Sequence, residues 1–139
     1  MNILFFLTPK EDVAYIYDTY SLRQVLEKME YHKYSCIPII TERGKYAGTI
    51  TEGDLLWGLK DRGELDLKGA EEVPIASFKR RNDYAPIRVD PNMENLLEKA
   101  MQQNFVPVVD DQKNFIGIVT RRDIMQYICS SGTKEQQKV

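Results

Sequence analysis

Apolar positions along this chain switch between a helical period and a strand period, and the same order of switches occurs twice. Leu22, Val25, Leu26 and Met29 fall at helical spacing between Ser21 and Lys33, and Ser21 stands where an N-cap belongs. The continuous apolar run from Cys36 to Ile40 predicts a strand, and Glu42-Arg43-Gly44-Lys45 a turn. Tyr46 to Ile50, aromatic and β-branched, predicts a second strand. Thr51 and Asp54 then flank the start of a helix running through Leu55, Leu56, Trp57 and Leu59. In the second half a helix is predicted from about Met93 to Gln103. Strands follow from Phe105 to Val109 and Phe115 to Val119, around a turn at Asp110 to Asn114, and a last helix runs from Arg122 to about Cys129. Each half thus reads strand, helix, strand, strand, helix.

The residues repeat as well as the pattern. Gly48-Thr49-Ile50-Thr51-Glu52-Gly53-Asp54 recurs as Gly117-Ile118-Val119-Thr120-Arg121-Arg122-Asp123, an offset of 69 (117 less 48). At the same offset Ile37-Pro38-Ile39-Ile40 recurs as Val106-Pro107-Val108-Val109. Leu26-Glu27-Lys28-Met29 has a partner, slightly out of register, in Leu97-Glu98-Lys99-Ala100-Met101. A unit of this length, used twice, is a supersecondary element that packs on its copy. The expected organisation is a first unit over 1–61, a charged connection over 62–76 with Pro74 near its end, a second unit over 77–130, and a flexible polar tail over 131–139. Pro38 and Pro107, each inside a strand, predict edge or bulged strands, because proline gives no N–H to a ladder.

Composition narrows the function classes. Of 139 residues, 42% are hydrophobic and 29% charged, enough for a packed core. A net charge of −2 offers no basic excess for a general nucleic-acid binder. The N-terminal apolar run Ile3–Leu7 is too short for a membrane span or signal core, so a cytoplasmic location without membrane partner is expected. Cys36 reads as a small buried residue and Cys129 as a solvent-accessible one; two cysteines make neither a disulfide framework nor a zinc site. His32, the one histidine, lies in a polar stretch with no metal-spaced partner. There is no P-loop or G-x-G-x-x-G, and Glu71-Glu72 and Asp110-Asp111 read as solvated loops. No catalytic residues and no metal ligands are therefore assigned, and the chain is expected not to be an enzyme. Lys79-Arg80-Arg81 reads as a solvated basic loop. Tyr15, Tyr17, Tyr20, Tyr31 and Tyr34 suit half-buried surfaces, some of them at a dimer interface.

The apolar-Pro-apolar strand, the turn and the closing Gly-x-x-Thr-x-x-Asp, present twice in the same order, resemble the CBS domain family over nearly the whole chain. The resemblance implies an α/β fold of two β-α-β-β-α repeats packed about a pseudo-two-fold axis, known as a CBS pair or Bateman module. It also implies ligand clefts between the repeats for AMP, ADP, ATP or a related adenosine compound, no required cofactor, and pairing into homodimers. Each cleft is implied to take its ribose carboxylate from one repeat and its purine wall from the other. One ligand site would then use Thr120, Arg121, Arg122 and Asp123 with Ala14, Ser35 and Cys36. The second would use Thr51 and Asp54 with Ala85, Phe105 and Val106. The implied role is regulatory sensing that acts through an unidentified target protein.

The chemistry of these residue types agrees. A carboxylate in the first turn of a helix can accept from ribose hydroxyls, and the helix N-terminus offers N–H groups to a phosphate. Arg121-Arg122 flanks one motif and Glu52-Gly53 the other, so a phosphorylated ligand is expected at Asp123. Asp54 and Asp123 also suit plain helix caps. The stretch Asn104 to Met125 is similar, with Val13-Ala14 and Ser35-Cys36-Ile37-Pro38, to small stand-alone CBS-pair proteins that bind cyclic di-AMP. The chain departs from that subgroup at Asp12 and in keeping both motif aspartates, which places a mononucleotide first and cyclic di-AMP second. A ligand-free dimerisation or interaction module is the alternative from another class.

Overall fold

The computed structural model describes residues 2–63, 69–81, 83–89 and 92–137. The chain forms two compact units that interleave along the sequence. One comprises Ala14–Tyr84 with Lys113–Phe115, here the repeat-1 unit. The other comprises Met1–Val13, Ala85–Gln112 and Ile116–Val139, here the repeat-2 unit.

In the repeat-1 unit the order is β2 (Ile16–Tyr17), α1 (Leu22–His32), β3 (Cys36–Ile40), β4 (Tyr46–Thr51) and α2 (Glu52–Asp61). Ser21 caps α1 through a complete capping box with Gln24, and Lys33 ends it in the left-handed conformation. β2 runs parallel to β3, and β3 pairs antiparallel with β4. Ile16, Leu22, Val25, Ile37, Ile50 and Leu55 form the core. The predicted connection also belongs to this unit. Val73 O accepts from Leu22 N, Ile75 N donates to Tyr20 O, and Ala70, Ile75 and Phe78 are buried in the core. Residues 64–68 of that connection lie outside the described residues.

The repeat-2 unit repeats the order with β5 (Ile87–Arg88), α3 (Met93–Gln102), β6 (Phe105–Val109), β7 (Phe115–Thr120) and α4 (Arg121–Gln137). Its core gathers Ile87, Leu96, Val106, Val108, Val119 and Ile124. An added edge strand comes from the N-terminus: β1 (Thr8–Pro9) pairs antiparallel with β7, Thr8 facing Ile118 and Pro9 facing Gly117. Ile3 and Phe6, in a 3-10 turn before it, are buried in the same core. α4 continues through Gln137, past the helix end predicted near Cys129; residues 138–139 of the predicted tail lie outside the described residues.

The expectation of edge or bulged strands at the prolines is met in its second form at Pro38 and not in its first. β3 is the middle strand of β2-β3-β4, and β6 an inner strand of β1-β7-β6-β5. The very short β2 and β5 explain this. β2 pairs only with Ile39 and Ile40, and β5 only with Val108 and Val109. Pro38 and Pro107 precede those contacts, so on that side each strand is in effect an edge where no N–H is called for. A register shift between Ile39 and Ile40 adds the bulge.

Candidate functional site

The strand geometry gathers the predicted residues at one end of each sheet. In the repeat-1 unit Ala14 precedes β2, Ser35 precedes β3, and Cys36 opens it opposite Thr51, the last residue of β4. Glu52 N donates to Ser35 O, tying the start of α2 to the start of β3. Ala14, Ser35 and Cys36 therefore share a sheet end with Thr51 and Asp54. In the repeat-2 unit the arrangement recurs: Ala85 precedes β5, Phe105 and Val106 open β6, and Arg121 N donates to Asn104 O. Ala85, Phe105 and Val106 thus share an end with Thr120, Arg121, Arg122 and Asp123. The two groups implied to form one cleft, Thr120–Asp123 and Ala14 with Ser35–Cys36, belong to different compact units.

The two motifs are built alike and finished differently. Thr51 caps α2, its Oγ1 accepting from Asp54 N at 3.1 Å, and Asp54 Oδ2 returns the bond by accepting from Thr51 N at 3.1 Å. Asp54 Oδ1 also accepts from Arg81 N at 3.0 Å, and the residue is 3% exposed. Thr120 Oγ1 likewise accepts from Asp123 N at 3.1 Å. There the likeness stops: the Asp123 carboxylate has no hydrogen-bond partner among the described residues, and Asp123 is half-exposed.

The adjacent arginines separate into two roles. Arg121 Nε donates to Ala100 O at 2.7 Å and Nη2 to Met101 O at 3.5 Å, satisfying carbonyls at the C-terminal end of α3. Arg122 is exposed, and its guanidinium has no partner among the described residues. Arg122 with Asp123 therefore presents, among the described residues, an unengaged cation beside an unengaged anion at the start of α4.

Two groups went unnoticed in the sequence. Gln103, 8% exposed, accepts from Ala85 N through Oε1 at 3.1 Å, and donates through Nε2 to Ala85 O at 3.3 Å and Phe105 O at 3.2 Å. At the same repeat position stands Tyr34, which cannot make this set of bonds. The second group corrects the reading of Lys79-Arg80-Arg81 as a solvated loop. Arg80 Nε donates to Asp83 Oδ2 at 2.9 Å and its Nη2 to Ala47 O at 3.1 Å. Asp83 Oδ1 accepts from Thr49 N at 2.8 Å, and Tyr46 Oη donates to Tyr84 O at 2.7 Å. Burial holds the Tyr46 phenol well above its ordinary value; the Thr49 hydroxyl opposes that shift and the Asp83 charge adds to it.

Among the described residues no cluster of His, Cys, Asp or Glu could hold a metal ion, and no helix is long and apolar enough to cross a membrane. Cys36 is buried and Cys129 exposed. His32 is exposed between the rings of Tyr31 and Tyr34.

Residues 6–61 and 81–130 match the family model of the CBS domain. A crystal structure of CbpB in complex with c-di-AMP superposes with a TM-score of 0.85 at 27% identity, covering 100% of this chain and 91% of that one. A crystal structure of CBSX2 in complex with AMP shares the fold at 20% identity and a TM-score of 0.72, covering 94% and 98% of the two chains. An uncharacterised protein of Methanocaldococcus jannaschii is 30% identical over 80% of this chain and 83% of its own length. The chain spans 59% and 47% of two longer archaeal relatives that it also matches, from Methanopyrus kandleri and M. jannaschii. With two matched copies, each folded as β-α-β-β-α, the protein belongs to the CBS domain family and carries a CBS pair.

Proposed function

We propose that this protein is a regulatory sensor of an adenine nucleotide, held at the Asp123 motif, and that it acts by changing how it engages a partner, either a second copy or a target protein. The observation that carries the reading is the Asp123 carboxylate next to the Arg122 guanidinium, both without a partner among the described residues. A carboxylate there can accept from both hydroxyls of a ribose, and a guanidinium can take two phosphate oxygens in a fork. The Thr120-capped start of α4 adds main-chain N–H groups. The ligand needs only a differential affinity for two arrangements to act as a switch.

AMP, ADP or ATP fits a carboxylate that seeks a free ribose diol. A second reading, cyclic di-AMP, is favoured by the CbpB structure, which was solved with that ligand at 27% identity to this chain. In a cyclic dinucleotide each ribose keeps one free hydroxyl, so the carboxylate would matter less. Thermal shift with AMP, ADP, ATP and cyclic di-AMP, on the wild type and Asp123→Ala, separates the readings. A ligand at about 100 times its Kd stabilises by roughly 2.7 kcal/mol, a shift of several degrees. A mononucleotide shift that vanishes in Asp123→Ala supports the first reading, and a cyclic di-AMP shift that survives it supports the second. No shift with any of the four leaves an interaction module.

A further inference from the structure

We propose that the second set of motif residues is closed by the protein itself, so that each chain binds one ligand, at Asp123; this rests on the reading of Asp123 just given. The closure has one part in each unit. In the repeat-1 unit both carboxylate oxygens of Asp54 are taken, Oδ2 by Thr51 N and Oδ1 by Arg81 N. The segment carrying Arg81 is fastened on either side. Arg80 reaches Ala47 O, Asp83 takes Thr49 N, and Tyr84 O accepts from Tyr46. Gly48 makes room for this strap: a Cβ there would lie 2.7 Å from Arg80 Nε and 2.8 Å from Asp83 Oδ2. Asp54 is 3% exposed, so a ribose reaches its carboxylate only if the Arg81 segment moves away and that charge-assisted bond is broken.

The other part lies in the repeat-2 unit. At the starts of β5 and β6 the Ala85 amide, the Ala85 carbonyl and the Phe105 carbonyl are all bonded to the Gln103 side chain. Those are main-chain groups that could otherwise read a purine edge. Phe105 and Val106 are buried, so their side chains offer no surface in exchange. The Asp123 motif has no such strap. Gly117, the counterpart of Gly48, is crossed by Thr8 and Pro9, yet that crossing is main-chain pairing with β7 and leaves the Asp123 carboxylate unengaged.

The test is the number of ligands per chain, by equilibrium dialysis with AMP and separately with cyclic di-AMP, on the wild type, Asp54→Asn and Asp123→Asn. With either ligand the closure predicts one ligand per chain and an affinity within twofold in Asp54→Asn; with AMP it also predicts at least a tenfold loss in Asp123→Asn. Two ligands per chain, or a single one lost in Asp54→Asn and kept in Asp123→Asn, overturns the closure while leaving nucleotide binding intact. Hydrogen exchange of the ligand-free chain reads the closure without any nucleotide. The Arg81 and Ala85 amides exchange at least tenfold more slowly than free peptide if they are held as described, and exchange at the free-peptide rate overturns the proposal even where the dialysis shows no ligand at all.

Discussion

The Arg81 amide donates to the Asp54 carboxylate at 3.0 Å, joining the first turn of α2 to a segment 27 residues further along the chain. Asp54 is therefore a fastening as well as a cap, whereas the Asp123 carboxylate at the matching position has no partner among the described residues. Asp54→Ala strands two amide donors and is expected to cost roughly 2–3 kcal/mol, from a lost cap and a lost charged hydrogen bond. Asp123→Ala should stay within about 0.5 kcal/mol of the wild type, as a surface change away from any bonded group does. Urea denaturation of the two variants checks the difference, and equal losses would mean that the two motifs are not distinguished as described.

How far the sequence led can be judged from these same residues. The repeat, the strand-helix order and the N-cap at Ser21 were legible because they rest on local spacing and on side chains a few positions apart. The strap of Arg80, Asp83 and Tyr84 was not, because its partners Ala47, Thr49 and Tyr46 lie more than 30 residues away and most of the bonds end on main-chain atoms. Nor was the crossing of residues 1–13 into the repeat-2 unit, where two residues of pairing, Thr8 and Pro9, carry no strand pattern. The prolines pointed to edge or bulged strands, and the structure has the bulge in β3 and strands whose pairing with the short β2 and β5 begins only after the proline. Gln103 carried one available signal: it breaks the repeat, standing where the first copy has Tyr34.

Arg121 and Arg122 are neighbours in sequence with opposite expected effects. Arg121 satisfies carbonyls at the end of α3, so Arg121→Ala should lower stability by about 1–2 kcal/mol, as loss of a charged hydrogen bond to the main chain does. Arg122→Ala should leave the melting temperature unchanged and weaken nucleotide binding roughly tenfold, the value of one charge-assisted contact of about 1.4 kcal/mol. Melting curves with and without nucleotide measure both. A stability loss in Arg122→Ala, with binding intact, would reverse the assignment.

Gly48 and Gly117 test the two crossings. A Cβ at Gly117 would sit 2.2 Å from Thr8 O and 3.1 Å from Pro9 Cα, both main-chain atoms that move only if β1 moves. Gly117→Ala is therefore expected to displace β1 and cost roughly 2–3 kcal/mol, the upper part of the range for overpacking. At Gly48 the nearest atoms are side-chain ends of Arg80 and Asp83, which can swing aside, but φ of +140° is unfavourable for alanine. Gly48→Ala should be milder in stability yet loosen the strap, seen as faster exchange of the Thr49 and Arg81 amides. Unchanged exchange there would show that the strap does not depend on the close approach at Gly48.

Tyr46 supplies a dependence on pH. Its hydroxyl donates to Tyr84 O and shares a bond with Thr49 Oγ1, and burial raises the pKa above the ordinary value near 10.0. In the unfolded chain the phenol ionises as the pH passes about 10, while in the folded chain it keeps its proton. The folded state therefore binds more protons than the unfolded state in that range. The stability associated with this group is fully present below about pH 10 and declines as the pH rises beyond it. Denaturant midpoints from pH 8 to 11 should fall more steeply in the wild type than in Tyr46→Phe. The variant loses the two hydroxyl bonds, about 1–2 kcal/mol at neutral pH, but has no phenol to titrate. Parallel profiles for the two proteins would mean that the Tyr46 phenol ionises as readily in the folded chain as in the unfolded one, and would overturn the upward shift assigned to its burial.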